Sequence, residues 1–190
     1  MLFRSQVKII FNNNLLSKDT LDAMSSATPL DYIKTQLTLH QPLSIIKQEK
    51  IFGFVGGAGL ELINLGYLAG GLYLLKEKII SWHLPIAFLS TLFITALIFN
   101  AISPDVFASP LFHIMSGGSM LCAFFIITDP VSAPTTPRGK IIFGMGIALL
   151  VFIIRIFGGY PEGIAFAVLL FNICAPLIDS LTQPRIFGHK

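Results

Sequence analysis

The sequence predicts an all-α integral membrane protein, with about five transmembrane helices after an extracytoplasmic amino-terminal segment. Three observations predict it. Charged residues make up 12% of the 190 residues, about half the ~25% usual in soluble domains. Mean hydropathy is +0.76, and long apolar runs recur. Each run is near the ~20 residues a helix needs to cross ~30 Å of hydrocarbon. Basic residues, finally, occupy alternate loops between the runs.

Residues 1–55 contain no spanning run. Val7-Lys8-Ile9-Ile10-Phe11 reads as a short strand or an interfacial piece, ended by Asn12-Asn13-Asn14, since asparagine favours turns. Ser17 can cap a short helix. A second helix starts at Thr28: in Thr28-Pro29-Leu30-Asp31 a capping hydroxyl precedes proline at the first helical position, with a carboxylate at the third. Tyr32, Ile33 and Leu37 then form its apolar face.

The spanning candidates cover about 57–75, 83–100, 111–128, 141–157 and 164–181. Gly56-Gly57-Ala58-Gly59, Gly70-Gly71 and Gly117-Gly118 read as packing faces, because small residues let membrane helices approach closely. The loops after the first and third runs contain Lys76, Lys78, Arg138 and Lys140, and the tail contains Arg185 and Lys190. The loops around Ser103-Pro104-Asp105 and Gly158-Gly159 contain no lysine or arginine. Positive loops face the cytoplasm. The expected organisation is therefore an extracytoplasmic segment at 1–55, a transmembrane helical domain at 56–182 and a cytoplasmic tail at 183–190. Lys47 and Lys50 oppose this arrangement weakly; the alternation outweighs them.

Met1 to Phe11 lacks the apolar core of a signal peptide, being interrupted by Arg4, Ser5, Gln6 and Lys8. An outer amino-terminal segment would then need translocation by the first helix. The simpler expectation is that further membrane helices precede it in a full-length form, of which this chain is the carboxy-terminal part.

The net charge of +3 needs no nucleic-acid partner, since basic residues set topology here and no arginine cluster is interleaved with aromatics. Cys122 and Cys174 lie in apolar runs and read as small buried hydrophobes, with no zinc or disulfide spacing. No phosphate-binding loop, metal-ligand cluster or nucleophile triad is present, so neither a metal site nor a catalytic residue is expected.

Several stretches together carry a resemblance. They are Asp22-Ala23-Met24-Ser25-Ser26-Ala27-Thr28, extending to Asp31; Leu68-Ala69-Gly70-Gly71; and Ala123-Phe124-Phe125-Ile126-Ile127-Thr128-Asp129-Pro130-Val131. Arg155-Ile156-Phe157-Gly158-Gly159-Tyr160-Pro161-Glu162-Gly163 and Ala175-Pro176-Leu177-Ile178-Asp179 complete the set. With these residues the chain, from Asp22 to Gly188, resembles the RnfD family of Rnf (Rsx) electron-transport complexes. That family is similar to NqrB of sodium-pumping NADH:quinone reductase. The resemblance implies a multi-pass subunit of the bacterial inner membrane carrying covalent FMN through a phosphoester to threonine. A flavin transferase makes the link on a pattern of the form Asp-x-x-Ser/Thr-Gly/Ser-Ala-Thr. Asp22, Ser25, Ser26 and Ala27 match its recognition positions, and Thr28 matches the acceptor. Ser26 stands where glycine is frequent. The family's full-length subunit has an additional membrane half before this loop, which implies either a split gene with a separate chain, a fragment, or a shortened lineage.

By itself Thr28 is a serviceable helix cap. The two roles are compatible, because a phosphate there would meet free N–H groups and the positive end of the helix dipole. Glu61 and Asn64 are candidates for an ion path, or Glu61 lies at the water interface. Arg155 could face an anion, snorkel to the interface or pair with Glu162. His113, Ser116 and Ser119 could admit a second, non-covalent flavin, or hydrogen-bond between helices. Asp129 caps the next turn or touches a partner.

The leading expectation is a subunit, not catalytic by itself, of a redox-driven ion-translocating complex. It would relay electrons through FMN on Thr28, with the other Rnf subunits as partners. The rival is a flavin-free helical transport or scaffold subunit, in which Thr28 is only a cap.

Overall fold

A computed structural model of the chain describes residues 28–38 and 60–184, and these form helices and connecting loops with no strand among them. The order is α1 (Pro29–Thr38), α2 (Leu60–Lys76), α3 (His83–Ile102), α4 (Pro110–Met115), α5 (Ser119–Leu121), a π-helical segment (Cys122–Ile126), α6 (Pro137–Phe157) and α7 (Ile164–Thr182). The expected strand at 7–11, the helix begun by Ser17, the Gly56–Gly59 stretch and most of the tail lie outside the described residues.

Three helices, α3, α6 and α7, are long and apolar enough to cross a membrane. At 1.5 Å per residue the 20 residues of α3 reach about 30 Å. α2 is 17 residues long in its described part, close to a spanning length. The expected run at 111–128 is not one helix. α4 stops at Met115, the chain breaks at Ser116-Gly117-Gly118, and α5 resumes for three residues before widening into the π turn. Gly117 causes the break: its φ of +63° is left-handed, a conformation glycine adopts without steric cost. π turns of this kind occur mostly as single-turn bulges within α-helices, frequently at functional sites.

α3 and α6 run parallel and form the centre of the core. The buried positions of α3 are Leu84, Ala87, Phe88, Leu92 and Ala96, whose spacings of three and four residues define one helical face. α6 answers with Phe143, Ile147, Ala148, Val151 and Phe152. Gly144 allows the close approach: a Cβ there would lie 3.1 Å from both the Leu84 carbonyl oxygen and the Ala87 methyl. Further along, Phe99 meets Phe152 at 5.1 Å between ring centroids. The glycine-rich packing expected of Gly70-Gly71 is present, since Phe124 fills the space that a side chain on Gly71 would need. Cys122 is buried as expected, whereas Cys174 is exposed on α7, among the outward-facing apolar residues Leu170, Ile173 and Leu177. Such faces suit lipid tails or a protein partner.

The loops sort into two ends. Lys76, Lys78, Arg138 and Lys140 lie where α2 stops and α3 and α6 begin, as the alternating charges require. The loops 103–109 and 158–163, without lysine or arginine, lie at the other end, where α1 packs.

Candidate functional site

Polar chemistry concentrates at the end that holds α1. Thr28 is exposed and acts as the helix cap that its sequence suggests. The Asp31 N–H donates to Thr28 Oγ1 at 3.3 Å, and the Tyr32 N–H donates to the Thr28 carbonyl at 2.9 Å. Pro29 at the first helical position sacrifices no N–H that the helix needs. Asp31 already places a carboxylate in this first turn, so the dipole adds little attraction for a second anion on Thr28. The hydroxyl is nonetheless open to solvent, as an acceptor of a covalent group must be.

α1 is amphipathic and docks through Leu30 and Ile33, which bury with Ala108 and Phe112 in a small core of their own. Lys34 secures the docking. Its Nζ donates to the carbonyls of Ile154 (3.3 Å) and Arg155 (3.2 Å) in the last turn of α6 and of Tyr160 (2.8 Å) in the loop that follows. Partial burial lowers the Lys34 pKa from its ordinary value, and the nearby Asp31 charge opposes that shift.

Beneath α1 lies the break in the third run, held by an ion pair between buried Arg155 and half-buried Glu162. Arg155, 4% exposed, does not snorkel. Its guanidinium reaches Glu162 Oε2 at 2.9 Å, and the charge is further satisfied by the His113 carbonyl at 2.7 Å and Ser119 Oγ at 2.9 Å. Glu162 in turn accepts from the Gly118 N–H at 3.1 Å and the Gly163 N–H at 3.1 Å. A carboxylate thus satisfies backbone groups that the interrupted helix leaves unpaired, as burial demands. Gly117 is required twice over, because a Cβ there would also collide with the Glu162 carboxylate.

His113, Ser116 and Ser119 do come together, though in a break rather than along a continuous helix. Ser119 and the backbone of His113 and Ser116 serve the interhelical hydrogen bonds. The His113 ring nitrogens and Ser116 Oγ are buried with no hydrogen-bond partner among the described residues. Asn64 is buried and donates to the Met115 carbonyl at 2.7 Å, tying α2 to the same break. Asp129 caps the turn after the π segment, accepting from the Ser132 N–H and hydroxyl.

A cavity of about 380 Å³ lies between α1, the 106–108 turn, α4 and the end of α6. Its volume falls within the ~300–1,000 Å³ typical of small-molecule sites. Ile33, Leu37, Phe107, Phe112 and Phe157 supply apolar walls, and Lys34, His113 and Arg155 contribute polar lining. A flavin phosphate would find the Thr28 hydroxyl open at the start of α1, and the same helix presents apolar side chains to the cavity along its length. Sequence reasoning did not find the cavity, because its walls come from four separated segments. Asp22, Ser25, Ser26 and Ala27 lie outside the described residues. No group of histidine, cysteine and carboxylate residues suited to a metal is found among the described residues.

Comparison with known proteins places the chain in a family. Residues 2–188 match the model of the NQR2, RnfD, RnfE family. A Yersinia enterocolitica protein, named as the D component of an ion-translocating oxidoreductase complex, is 56% identical over 170 residues, which are 89% of this chain and 48% of that protein. Proteins of the same name from Aeromonas hydrophila and Cronobacter sakazakii are 50% and 47% identical, covering 91% and 99% of this chain and 49% and 56% of their own lengths. The chain therefore spans about half the length of the curated relatives it matches. With its apolar helices and a match along almost its whole length, this multi-pass membrane protein belongs to the NQR2, RnfD, RnfE family.

Proposed function

We propose that the chain is a flavin-bearing part of an ion-translocating electron-transfer complex in the bacterial inner membrane, with FMN esterified to Thr28. The observation that carries this reading is the placement of Thr28. The hydroxyl is exposed at the start of a helix whose body is pinned over the broken membrane helix by Lys34. Forming the ester joins Thr28 Oγ1 to phosphorus and breaks a P–O bond in an activated flavin phosphate donor. The hydroxyl proton leaves with the displaced nucleotide.

The bound flavin would supply one- and two-electron redox chemistry, while the protein supplies position and environment. Thr28 holds the cofactor by its phosphate and prevents its loss by dissociation. The α1 side chains Leu30 and Ile33 orient the attachment helix against the membrane domain, and Arg155 with Glu162 keeps the underlying break rigid. The charge pattern of the loops supports an extracytoplasmic position for Thr28 and a cytoplasmic carboxy-terminus. The names of the relatives support partners among the other subunits of such a complex. The same names support coupling of electron flow to ion movement.

In-gel flavin fluorescence after denaturing electrophoresis tests this, using the full chain produced in cells that contain the transferase. The wild-type band should fluoresce and that of Thr28→Val should not. A dark wild-type band, or a fluorescent Thr28→Val band, overturns the reading in favour of a flavin-free scaffold.

A further inference from the structure

We propose that a cleft at the basic end of the membrane domain is a site for an anionic phospholipid, whose phosphate sits between Lys78 and Lys140. The cleft, of about 630 Å³, lies between the end of α2, the turn into α3 and the first turn of α6. Lys78, Lys140 and Ser81 line it together with Leu75, Ile79 and Trp82. Two ammonium groups and a hydroxyl thus share one hollow with apolar walls. The proposal is independent of the flavin reading.

Two observations carry it. Lys78 occupies the left-handed position, φ +56°, that closes α2. Its N–H donates to the Leu75 carbonyl at 3.1 Å, and the Ile79 N–H donates to the Leu74 carbonyl at 3.0 Å, the paired bonds of a Schellman cap. Glycine is the usual residue there, and a side chain is strained, so a lysine calls for a use of its ammonium. Lys140, in turn, is half-buried in the first turn of α6. Neither ammonium has a hydrogen bond or ion pair among the described residues. No acidic residue stands in the first turn of α3 or α6, whose positive dipole ends add to the same field. Two carboxylates are near in the chain or the fold. Glu77 is exposed, and Asp129, lining the adjoining hollow, already accepts from Ser132. A partly desolvated pair of cations therefore lacks its anion.

Depth decides the source of that anion. α3 begins its span at His83 and Lys140 lies three residues into α6, so the cleft is at the level where headgroups meet hydrocarbon. Trp82, 55% exposed, and Ile79, 67% exposed, flank the lysines there. A free phosphate would leave these apolar walls wet, whereas a lipid covers them with its glycerol and upper acyl chains. A zwitterionic headgroup would bring its own ammonium against the lysines, so the occupant carries a net negative charge.

Trp82 is the only tryptophan in the chain and reports on the cleft. For the test, the full chain is reconstituted in phosphatidylcholine vesicles with a small fraction of brominated phosphatidylglycerol or brominated phosphatidylcholine. Bromine near the glycerol end of the acyl chains quenches Trp82 only on close approach, so the ratio of the two quenching strengths measures preference. Wild type should prefer phosphatidylglycerol roughly tenfold, as two lysines at a membrane surface allow. Lys78→Gly relieves the strained position, so it should stay folded while losing most of that preference. Adding Lys140→Gln should remove the rest. Arg138→Gln removes an exposed cation outside the cleft and should keep the preference. Equal quenching of wild type by both lipids overturns the site. A loss in Arg138→Gln as great as in the double variant overturns it too, reducing the effect to diffuse charge attraction. Suppression by inorganic phosphate, beyond that of chloride at matched ionic strength, would make a free anion the occupant and overturn the lipid assignment.

Discussion

The two ends of the α6–α7 pair solve the same problem with different chemistry. At the α1 end, a buried guanidinium and a half-buried carboxylate stitch the α6–α7 turn to the broken third run. At the opposite end, Asp179 of α7 accepts from the backbone N–H groups of Thr135 (2.9 Å) and Thr136 (3.3 Å), and Thr136 Oγ1 caps α6 through the Gly139 N–H. Both ends tie a loop to a helix, but only the first does so through a fully buried cation, Arg155. Losing one partner there strands a charge, whereas at the other end solvent can replace what is lost. The contrast explains why the broken helix is a defined structure rather than a frayed one, and why α1 is seated where it is.

The largest expected effect comes from stranding the buried charge. Glu162→Leu should destabilise the folded chain by about 3–5 kcal/mol, measured by denaturant titration in detergent. The double variant Arg155→Met with Glu162→Leu should recover much of that loss. Equal losses for the single and double variants would mean that the pair is not the element that matters. Gly117→Ala should follow, because left-handed backbone costs roughly 1–2 kcal/mol with a side chain and the Glu162 carboxylate occupies the space. Asp179→Asn at the opposite end should cost no more than about 1 kcal/mol, since its acceptor role is partly retained and water is near. If Asp179→Asn proved as damaging as Glu162→Leu, the distinction between the two ends would fail.

The smallest effect concerns pH. The Ser132 hydroxyl and N–H hold the Asp129 pKa below the usual carboxylate value. A lowered folded-state pKa contributes stability that is fully present above the unfolded value, near ~3.9, and is lost as pH falls through the folded one. Asp129→Asn should therefore cost a little stability at neutral pH, flatten the acidic limb of the profile, and converge with wild type once pH falls below the folded value.

Much of this was legible in the residues. The runs that became α3, α6 and α7 announced themselves by hydropathy, and the basic loops do gather at one end. Thr28-Pro29-Leu30-Asp31 read as a helix start and is one. The break in the third run was not legible, because hydropathy averages over the length of a helix and is blind to one residue's φ. Gly117-Gly118 was a signal for it, but glycine pairs elsewhere serve packing, as Gly71 does against Phe124. Arg155 was recognised as a candidate partner of Glu162, yet its burial depends on the carbonyl of His113 and the hydroxyl of Ser119, which only the folded break brings to it. The cavity lay beyond reach for the same reason: segments about a hundred residues apart build it.

The central claim is that Thr28 carries the flavin, and mass spectrometry of the proteolytic peptide containing Thr28 tests it most directly. Protein isolated from cells that contain the transferase should yield that peptide with the mass of FMN added, less one water, and fragmentation should locate the addition on Thr28. An unmodified peptide at full recovery, or FMN located on a different residue, would contradict the account.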